Sequence, residues 1–362
     1  MSDLPVLFEE RETQSGHRIG VATLNRPKQL NALNLQMCQL MLDQFRAWVS
    51  DEGVVAVILD GAGDKGFCAG GDVAGVIREV RAGGPQRFVY GDAFFDVEYQ
   101  LDRLIHEYPK PFISYSHGIC MGGGVGLTVG ASHRIVSDRS RIAMPEIHIG
   151  LFPDVGGGYF LNRVSGSAGC LMAMTGLTIN EADAIFAGLA DWFVPLEERS
   201  ALYKKFDELL WTGSARKNRE LLTQLLWGEH RRFHTGLPVS NLEQYFDAIR
   251  FISTQPSAIA VRDALQAAAA DDPWFETPAA SLANGSPTAA HVTYEYLRRC
   301  RLMSLREVLD LDLILAKQCQ RHPDFPEGVR ALLIDKDRKP AWSPSRFEDV
   351  DQALIDAHFV AP

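Results

Sequence analysis

The chain has 362 residues, 46% hydrophobic and 23% charged, the make-up of a globular protein with a sizeable core and room for more than one domain. Its formal net charge of −10 argues against nucleic acid as the main partner, because a phosphate backbone is met with basic surface. Six cysteines (Cys38, Cys68, Cys120, Cys170, Cys300, Cys319) form no CxxC pair; they fit reduced thiols of a cytoplasmic protein better than a disulfide framework or a zinc site. From the N-terminus, "MSDLPVLFEE" is acidic and has neither a basic n-region nor an Arg-rich amphipathic pattern, so no signal or transit peptide is expected. "VLFEERETQSGHRIGVATLNRP" reads as two strands around a polar turn at Gln14 to His17. In "NALNLQMCQLMLDQFRAWVS" the spacing of Leu33, Met37, Leu40, Met41 and Phe45 predicts a helix with one apolar face. "VVAVILDG", a continuous apolar run between Gly53 and Gly61, predicts a strand buried on both faces. A helix beginning near Asp72 and a longer one over Gln86 to His106 follow. "PKPFISYSHG" is the next strand, "GGGVGLTVGA" a small-residue helix and "HRIVSD" another short strand.

Alternation of strand and helix in this order predicts an α/β fold with a largely parallel sheet. From about Leu177 the pattern turns mostly helical, with Glu181 to Ala187 and Glu197 to Leu210 as examples. "ALQAAAADDPWFETPAASLANGSPTAA" is rich in Ala, Pro, Gly and Ser and is expected to hold a loop. "MSLREVLDLDLILAKQCQRH" predicts a long amphipathic helix. The expected division is a core over residues 1–200 and a mainly helical region over 201–362. No run of about 18 apolar residues occurs, so no membrane helix is expected.

Two glycine-rich turns, "GFCAGGD" and "HGICMGGGVGL", each follow a predicted strand and precede a predicted helix. Such turns aim backbone N–H groups at one point, where the helix dipole favours negative charge. Two of them facing each other can hold a carbonyl oxygen as it becomes an oxyanion. Tight turns and close helix packing alone would also call for these glycines. Neither turn has the spacing of the dinucleotide fingerprint, and neither contains the GK[ST] of a phosphate loop. Further on, "MPEIHIGLFPDVGGGYF" sets Glu146 and Asp154 among apolar residues. A carboxylate in such surroundings is expensive to bury. No His, Cys and Asp cluster has metal-ligand spacing, so no metal is expected.

"LNRPKQLNAL", "GFCAGGD", "HGICMGGGVGL" and "MPEIHIGLFPDVGG" resemble, in order, the motifs of the crotonase, or enoyl-CoA hydratase/isomerase, superfamily. The resemblance implies a crotonase-like core of stacked ββα turns, with the helical C-terminal region closing the acyl pocket. It implies an acyl-CoA substrate and a thioester oxygen held by the amides of Gly71 and Gly123. The catalytic glutamate that hydratases carry three residues after the middle glycine is replaced here by Gly126, whereas the second hydratase glutamate is matched by Glu146. Asp154 stands where hydratases usually have glycine. That departure, with the C-terminal "HPDFPEGVRALLIDKDRKPAWSP", resembles the 3-hydroxyisobutyryl-CoA hydrolase branch over nearly the whole chain. The branch implies hydrolysis of a short β-hydroxyacyl-CoA thioester in valine breakdown, with Glu146 and Asp154 as catalytic acids and Glu98 as a third acid against the substrate. Glu146 would either attack the carbonyl to form a mixed anhydride or serve as general base on water. No cofactor is implied beyond the CoA of the substrate; a homo-oligomer of the superfamily's kind is one reading, and occupation of that surface by the long helical C-terminal region is the other.

Blander readings stand beside these. Asp154 can cap the turn "DVGGG", and Glu98 can be an exposed helix position. His117 and His148 are expected to be local or core histidines, and Cys68 a packing residue. Arg26 and Lys28 are either contacts for CoA phosphates or solvated charges. Two rival functions remain: a hydratase or isomerase of the same fold, which Gly126 disfavours, and a non-catalytic acyl-CoA or protein-binding module.

Overall fold

The computed structural model describes residues 4–362. By packing, the chain forms two compact units, each of three segments: residues 1–71, 100–142 and 179–240 in the first, and 72–99, 143–178 and 241–362 in the second. Neither unit is a single stretch of chain. The expected division at residue 200 follows helix content: among the described residues no strand occurs after Trp192–Phe193.

The first unit is built on a six-stranded sheet. β1 (Val6–Glu12) pairs antiparallel with β2 (Arg18–Leu24), Val6 opposite Leu24. Next come β3 (Val54–Gly61), β5 (Phe112–Ser116), β7 (His133–Val136) and β9 (Trp192–Phe193), all parallel. Every residue of β3 and β5 is buried, as the continuous apolar runs predicted. One face packs Ile58, Ile113, Tyr115 and Ile135 against Leu202, Phe206, Trp211, Leu222 and Leu226 from the helical stretch before residue 240. The helix α1 (Leu35–Ser50) is capped by the Asn34 side chain, which accepts from the Met37 N–H. It buries Met37, Cys38, Met41, Leu42, Phe45 and Trp48. Two expectations for this helix need correction. Leu33 lies before the helix and bridges Gly71, and Leu40 is only half-buried, because the buried stripe runs along Cys38 and Leu42 instead. A smaller sheet joins β4 (Gly66–Cys68), β6 (Ile119–Met121) and β8 (Arg141–Ala143).

The second unit is helical. It contains α2 (Val73–Ala82) and the first part of α3 (Val89–His106), a helix that passes from one unit to the other between Tyr99 and Gln100. The stretch expected to hold a loop is instead three helices, Ala258–Asp271, Glu276–Asn284 and Pro287–Cys300, joined by short turns. The sequence carries its own caps: Ser257, Asp272 and Ser286 each accept a backbone N–H at a helix start, and a proline follows both Asp272 and Ser286. The run of alanines is good helix former, and the Pro and Ser residues mark starts rather than a loop.

Candidate active site

The glycine turns of the first unit adjoin. β4 and β6 pair in parallel, Gly66 opposite Ile119 and Cys68 opposite Cys120, so the segments that follow leave the small sheet side by side. Gly70, at φ +99°, lies so close to the second turn that a Cβ there would sit 3.1 Å from the Met121 carbonyl oxygen and 3.6 Å from the Gly123 nitrogen. Only glycine permits both that conformation and that approach. Gly71 is tied to Leu33 by a parallel bridge. Gly123 is the first residue of α4 (Gly123–Val129), where an N–H has no acceptor within its own helix. Cys68 is buried and hydrogen-bonds the Asn31 carbonyl at 3.3 Å, in line with a packing role.

Carboxylic acids gather in the second unit. Glu98 is on α3, Glu146 opens a 3₁₀ turn (Glu146–Ile149) and Asp154 precedes the glycine turn; none is more than 5% exposed. Burial, and after it the charge of Asp154, pushes the Glu98 carboxyl well above its usual range. Glu146 is raised in the same way, by burial first and then by Asp154. Asp154 rises less, to about 6: burial lifts it, and a hydrogen bond from Tyr99 pulls it back. Glu98 and Glu146 therefore both feel the charge of Asp154. One oxygen of Glu98 and one of Glu146 are buried with no hydrogen-bond partner among the described residues, which is rare for native carboxyls and typical of functional sites.

Asp154 is held from several directions. The Tyr99 hydroxyl donates to its Oδ2 at 2.6 Å. Its own carbonyl accepts from the Gly157 N–H at 2.8 Å. The next residue, Val155, stands at φ +51°, a strained setting for a β-branched side chain. Beneath the turn, Asp312 accepts from the Gly156 N–H at 2.8 Å and from the Tyr296 hydroxyl at 2.5 Å, while that hydroxyl accepts from the Gly158 N–H at 2.6 Å. Gly158 has no room for a side chain: a Cβ would lie 2.6 Å from Cys300 Sγ.

A family model described as enoyl-CoA hydratase/isomerase matches residues 19–359. The chain belongs to the enoyl-CoA hydratase/isomerase family. It is 37% identical over 343 residues to a protein of Gallus gallus named 3-hydroxyisobutyryl-CoA hydrolase, mitochondrial, covering 94% of this chain and 86% of the relative. The human protein of the same name is also 37% identical, over 346 residues with the same coverage. Among solved structures, a carnitinyl-CoA dehydratase of Mycobacterium thermoresistibile superposes with a TM-score of 0.85 at 33% identity, over 98% of this chain and 96% of its own. An enoyl-CoA hydratase of Rhodobacter sphaeroides 2.4.1 gives 0.84 at 34% identity, over 98% and 97%. The α/β fold is that of the family.

Within this family member, the sequence-predicted residues fall into two groups, the amides of Gly71 and Gly123 in the first unit and Glu98, Glu146 and Asp154 in the second. The exposed-helix alternative for Glu98 is overturned, since that residue is buried among the other acids. His117 is buried and its Nε2 hydrogen-bonds the Gly63 carbonyl at 3.0 Å, 54 residues away in sequence, and His148 Nε2 lies 3.2 Å from the Ser281 hydroxyl. Sequence reasoning missed Tyr99, Tyr296 and Asp312. Tyr99 adjoins Glu98 in the same "FFDVEYQL", and a buried tyrosine hydroxyl needs a partner, so that one had a signal. Among the described residues no group of three or more His, Cys, Asp or Glu is arranged to hold a metal, and no helix is long and apolar enough to cross a membrane.

Proposed function

We infer that the protein hydrolyses a short β-hydroxyacyl-CoA thioester, and that the substrate is 3-hydroxyisobutyryl-CoA of valine breakdown, giving 3-hydroxyisobutyrate and CoA. The observation that carries this reading is the pair of buried acids Glu146 and Asp154, the first raised by burial and by the charge of the second, in a chain that matches proteins named for that hydrolysis along nearly its full length. Binding a neutral acyl group needs no carboxylate, which counts against a binding module. In the proposed reaction the amides of Gly71 and Gly123 hold the thioester oxygen as it becomes an oxyanion. Glu146 and Asp154 provide the acid–base or nucleophilic chemistry, and Glu98 lines the acyl site. The reaction uses water and no cofactor, since CoA belongs to the substrate.

Hydration is the second reading, favoured by the names of the two solved structures above. Gly126 weighs against it, because it leaves that chemistry one carboxylate short. Release of free thiol from 3-hydroxyisobutyryl-CoA, followed with a thiol-reactive dye, separates the two readings. Glu146→Gln removes charge and basicity at nearly constant size. It should lower thiol release by about 10²–10⁴-fold while KM stays within a few-fold. Thiol release at the parent rate would remove Glu146 from the chemistry.

The proposal places the protein in the cytoplasm. Six cysteines with no disulfide between them support a reducing compartment, whereas the relatives are mitochondrial by name, and fractionation of the source cells separates the two. A homo-oligomer is carried over from the family resemblance and is read by sedimentation of the purified chain.

A further inference from the structure

The second unit holds a pocket of about 270 Å³ that the proposed reaction leaves unused. Its walls come from His148 on the 3₁₀ turn that Glu146 opens, from Asn284 at the end of the helix Glu276–Asn284, and from Ala331, Leu332, Arg338 and Pro340. Three kinds of group meet there. Ala331, Leu332 and Pro340 are apolar. Arg338 is a cation with no ion-pair partner among the described residues, because the acids of its segment are taken by Arg330, which pairs with Glu327, Asp335 and Asp337. The Arg338 backbone stands at φ +57° and that of Lys336 at +59°, and the Arg338 N–H donates to the Ala331 carbonyl at 3.0 Å. Non-glycine residues keep such settings where their surroundings impose them, and these settings cluster at ligand sites. The third group is the imidazole of His148, whose tautomer follows from its neighbour. The Ser281 hydroxyl gives its one proton to the Thr175 carbonyl, so toward His148 Nε2, 3.2 Å away, it can only accept. The ring proton therefore sits on Nε2. Burial lowers the pKa of the ring and keeps it neutral, which leaves Nδ1 a bare acceptor.

We propose that this pocket is a second, non-catalytic binding site for a short β-hydroxy carboxylate, through which the product slows its own formation. Arg338 takes the carboxylate, His148 Nδ1 accepts from the hydroxyl, and Ala331, Leu332 and Pro340 take the alkyl part. A cation, an acceptor and an apolar wall complement the three parts of such a molecule. It is the chemical class of the reaction's product, and that link rests on the hydrolase reading above. Occupancy reaches the catalytic centre through the chain itself. His148 is two residues from Glu146 on one short turn, and that turn is gripped along its length. The Ile147 carbonyl accepts from the Ser286 N–H at 3.0 Å, and a Cβ on Gly328 would lie 2.5 Å from the Ile149 carbonyl carbon. A turn packed this closely shifts as one piece, so a ligand that draws on His148 moves Glu146 with it.

The test follows Trp342, whose Nε1–H donates to the carbonyl of Asn284, a wall residue, at 3.1 Å. Protein carrying 5-fluorotryptophan at its six tryptophans is titrated with 3-hydroxyisobutyrate, isobutyrate and acetate, and Trp342→Phe identifies the Trp342 fluorine resonance. The hydroxy acid should move that resonance saturably, and isobutyrate, which lacks the hydroxyl, should bind several-fold more weakly. In Arg338→Gln the affinity should fall about ten- to a hundredfold, the worth of one hydrogen bond to a charged group, with the rate of thiol release at zero product unchanged. Leu332→Glu sets a like charge beside the carboxylate and should weaken binding by a second route. In the parent, added 3-hydroxyisobutyrate should lower kcat for thiol release at saturating 3-hydroxyisobutyryl-CoA. In Arg338→Gln only competition at the catalytic centre, seen as a rise in KM, should remain. A Trp342 resonance that stays still, or that moves equally and without saturation for all three anions, overturns the proposal. So does inhibition of the parent that is purely competitive. A saturable Trp342 shift that Arg338→Gln weakens, in a parent protein that releases no thiol, would sink the hydrolase reading and leave the hydroxy-acid site standing.

Discussion

Burial lifts the Asp154 carboxyl from 3.8 to about 6, and that displacement works against folding. An acid that holds its proton more tightly in the folded chain loses it on unfolding, so stability falls as pH rises from the unfolded value to the folded one. The penalty is absent below 3.8, grows up to about 6 and is constant above. At roughly 1.4 kcal/mol per pH unit it reaches about 3 kcal/mol. Asp154→Asn removes the titration and keeps an acceptor for Tyr99. In urea titrations it should be more stable than the parent by up to about 3 kcal/mol at pH 8 and nearly equal to it at pH 4, while thiol release collapses. Equal stability at both pH values would mean that the carboxyl is not held in an apolar setting. The strained Val155 at φ +51° lies beside it, so two adjacent residues are spent on the site rather than on the fold.

The turn from Asp154 to Phe160 is fixed by two helices far away in sequence. The helix Pro287–Cys300 supplies Tyr296 and the helix Leu305–Cys319 supplies Asp312, and together they satisfy the N–H groups of Gly156 and Gly158. Tyr296→Phe would leave the buried Gly158 N–H without an acceptor and Asp312 Oδ1 without its hydroxyl donor, while Asp312 Oδ2 keeps the Gly156 N–H, at on the order of 1–3 kcal/mol for each stranded group. The variant should unfold at lower temperature and also lose thiol release, because the turn carries Asp154. An unchanged melting curve would show that glycine geometry alone sets the turn. This arrangement also shows what the sequence made legible. Strands β3 and β5 and the two glycine turns announce themselves through continuous apolar runs and glycines at fixed places, which are local signals. Gly126 and Asp154 are single departures from a family pattern and read equally well. The clamp of Tyr296 and Asp312 spans more than 130 residues of chain, and no periodicity encodes a partner at that distance. For the same reason the interleaving of the two units was hidden: helix content changes near residue 200, but packing follows contacts that return across the sequence.

On the scale of the molecule, the two units carry buried groups that titrate in opposite senses. In the first, burial lowers His106 and His133 to about 4 and also lowers His117 and His230. A histidine kept neutral by folding gains its proton on unfolding, so its contribution is intact above 6.5 and drains away as pH falls toward 4. In that unit Glu181 is raised by burial and opposes the trend. The second unit has lowered histidines too, His148, His291, His322 and His358. Against them it sets five carboxyls raised by burial, Glu98, Glu146, Asp154, Asp312 and Asp324, whose penalty shrinks over the same fall in pH. Acidification from 6.5 to 4.5 should therefore weaken the first unit and leave the second nearly unchanged. Native-state hydrogen exchange, corrected for the intrinsic pH dependence of exchange, reads this segment by segment. Amides of β3 and β5 should lose protection, and those of the helices Pro287–Cys300 and Leu305–Cys319 should keep theirs. Replacing His133, whose Nε2 lies 3.1 Å from the Thr223 hydroxyl, by Gln preserves a hydrogen-bonding side chain without a titration in this range, and should flatten the loss in β5 and β7. Equal loss of protection in both units would mean that they unfold as one, and the acid cluster would then offset the histidines of the whole chain rather than of its own unit.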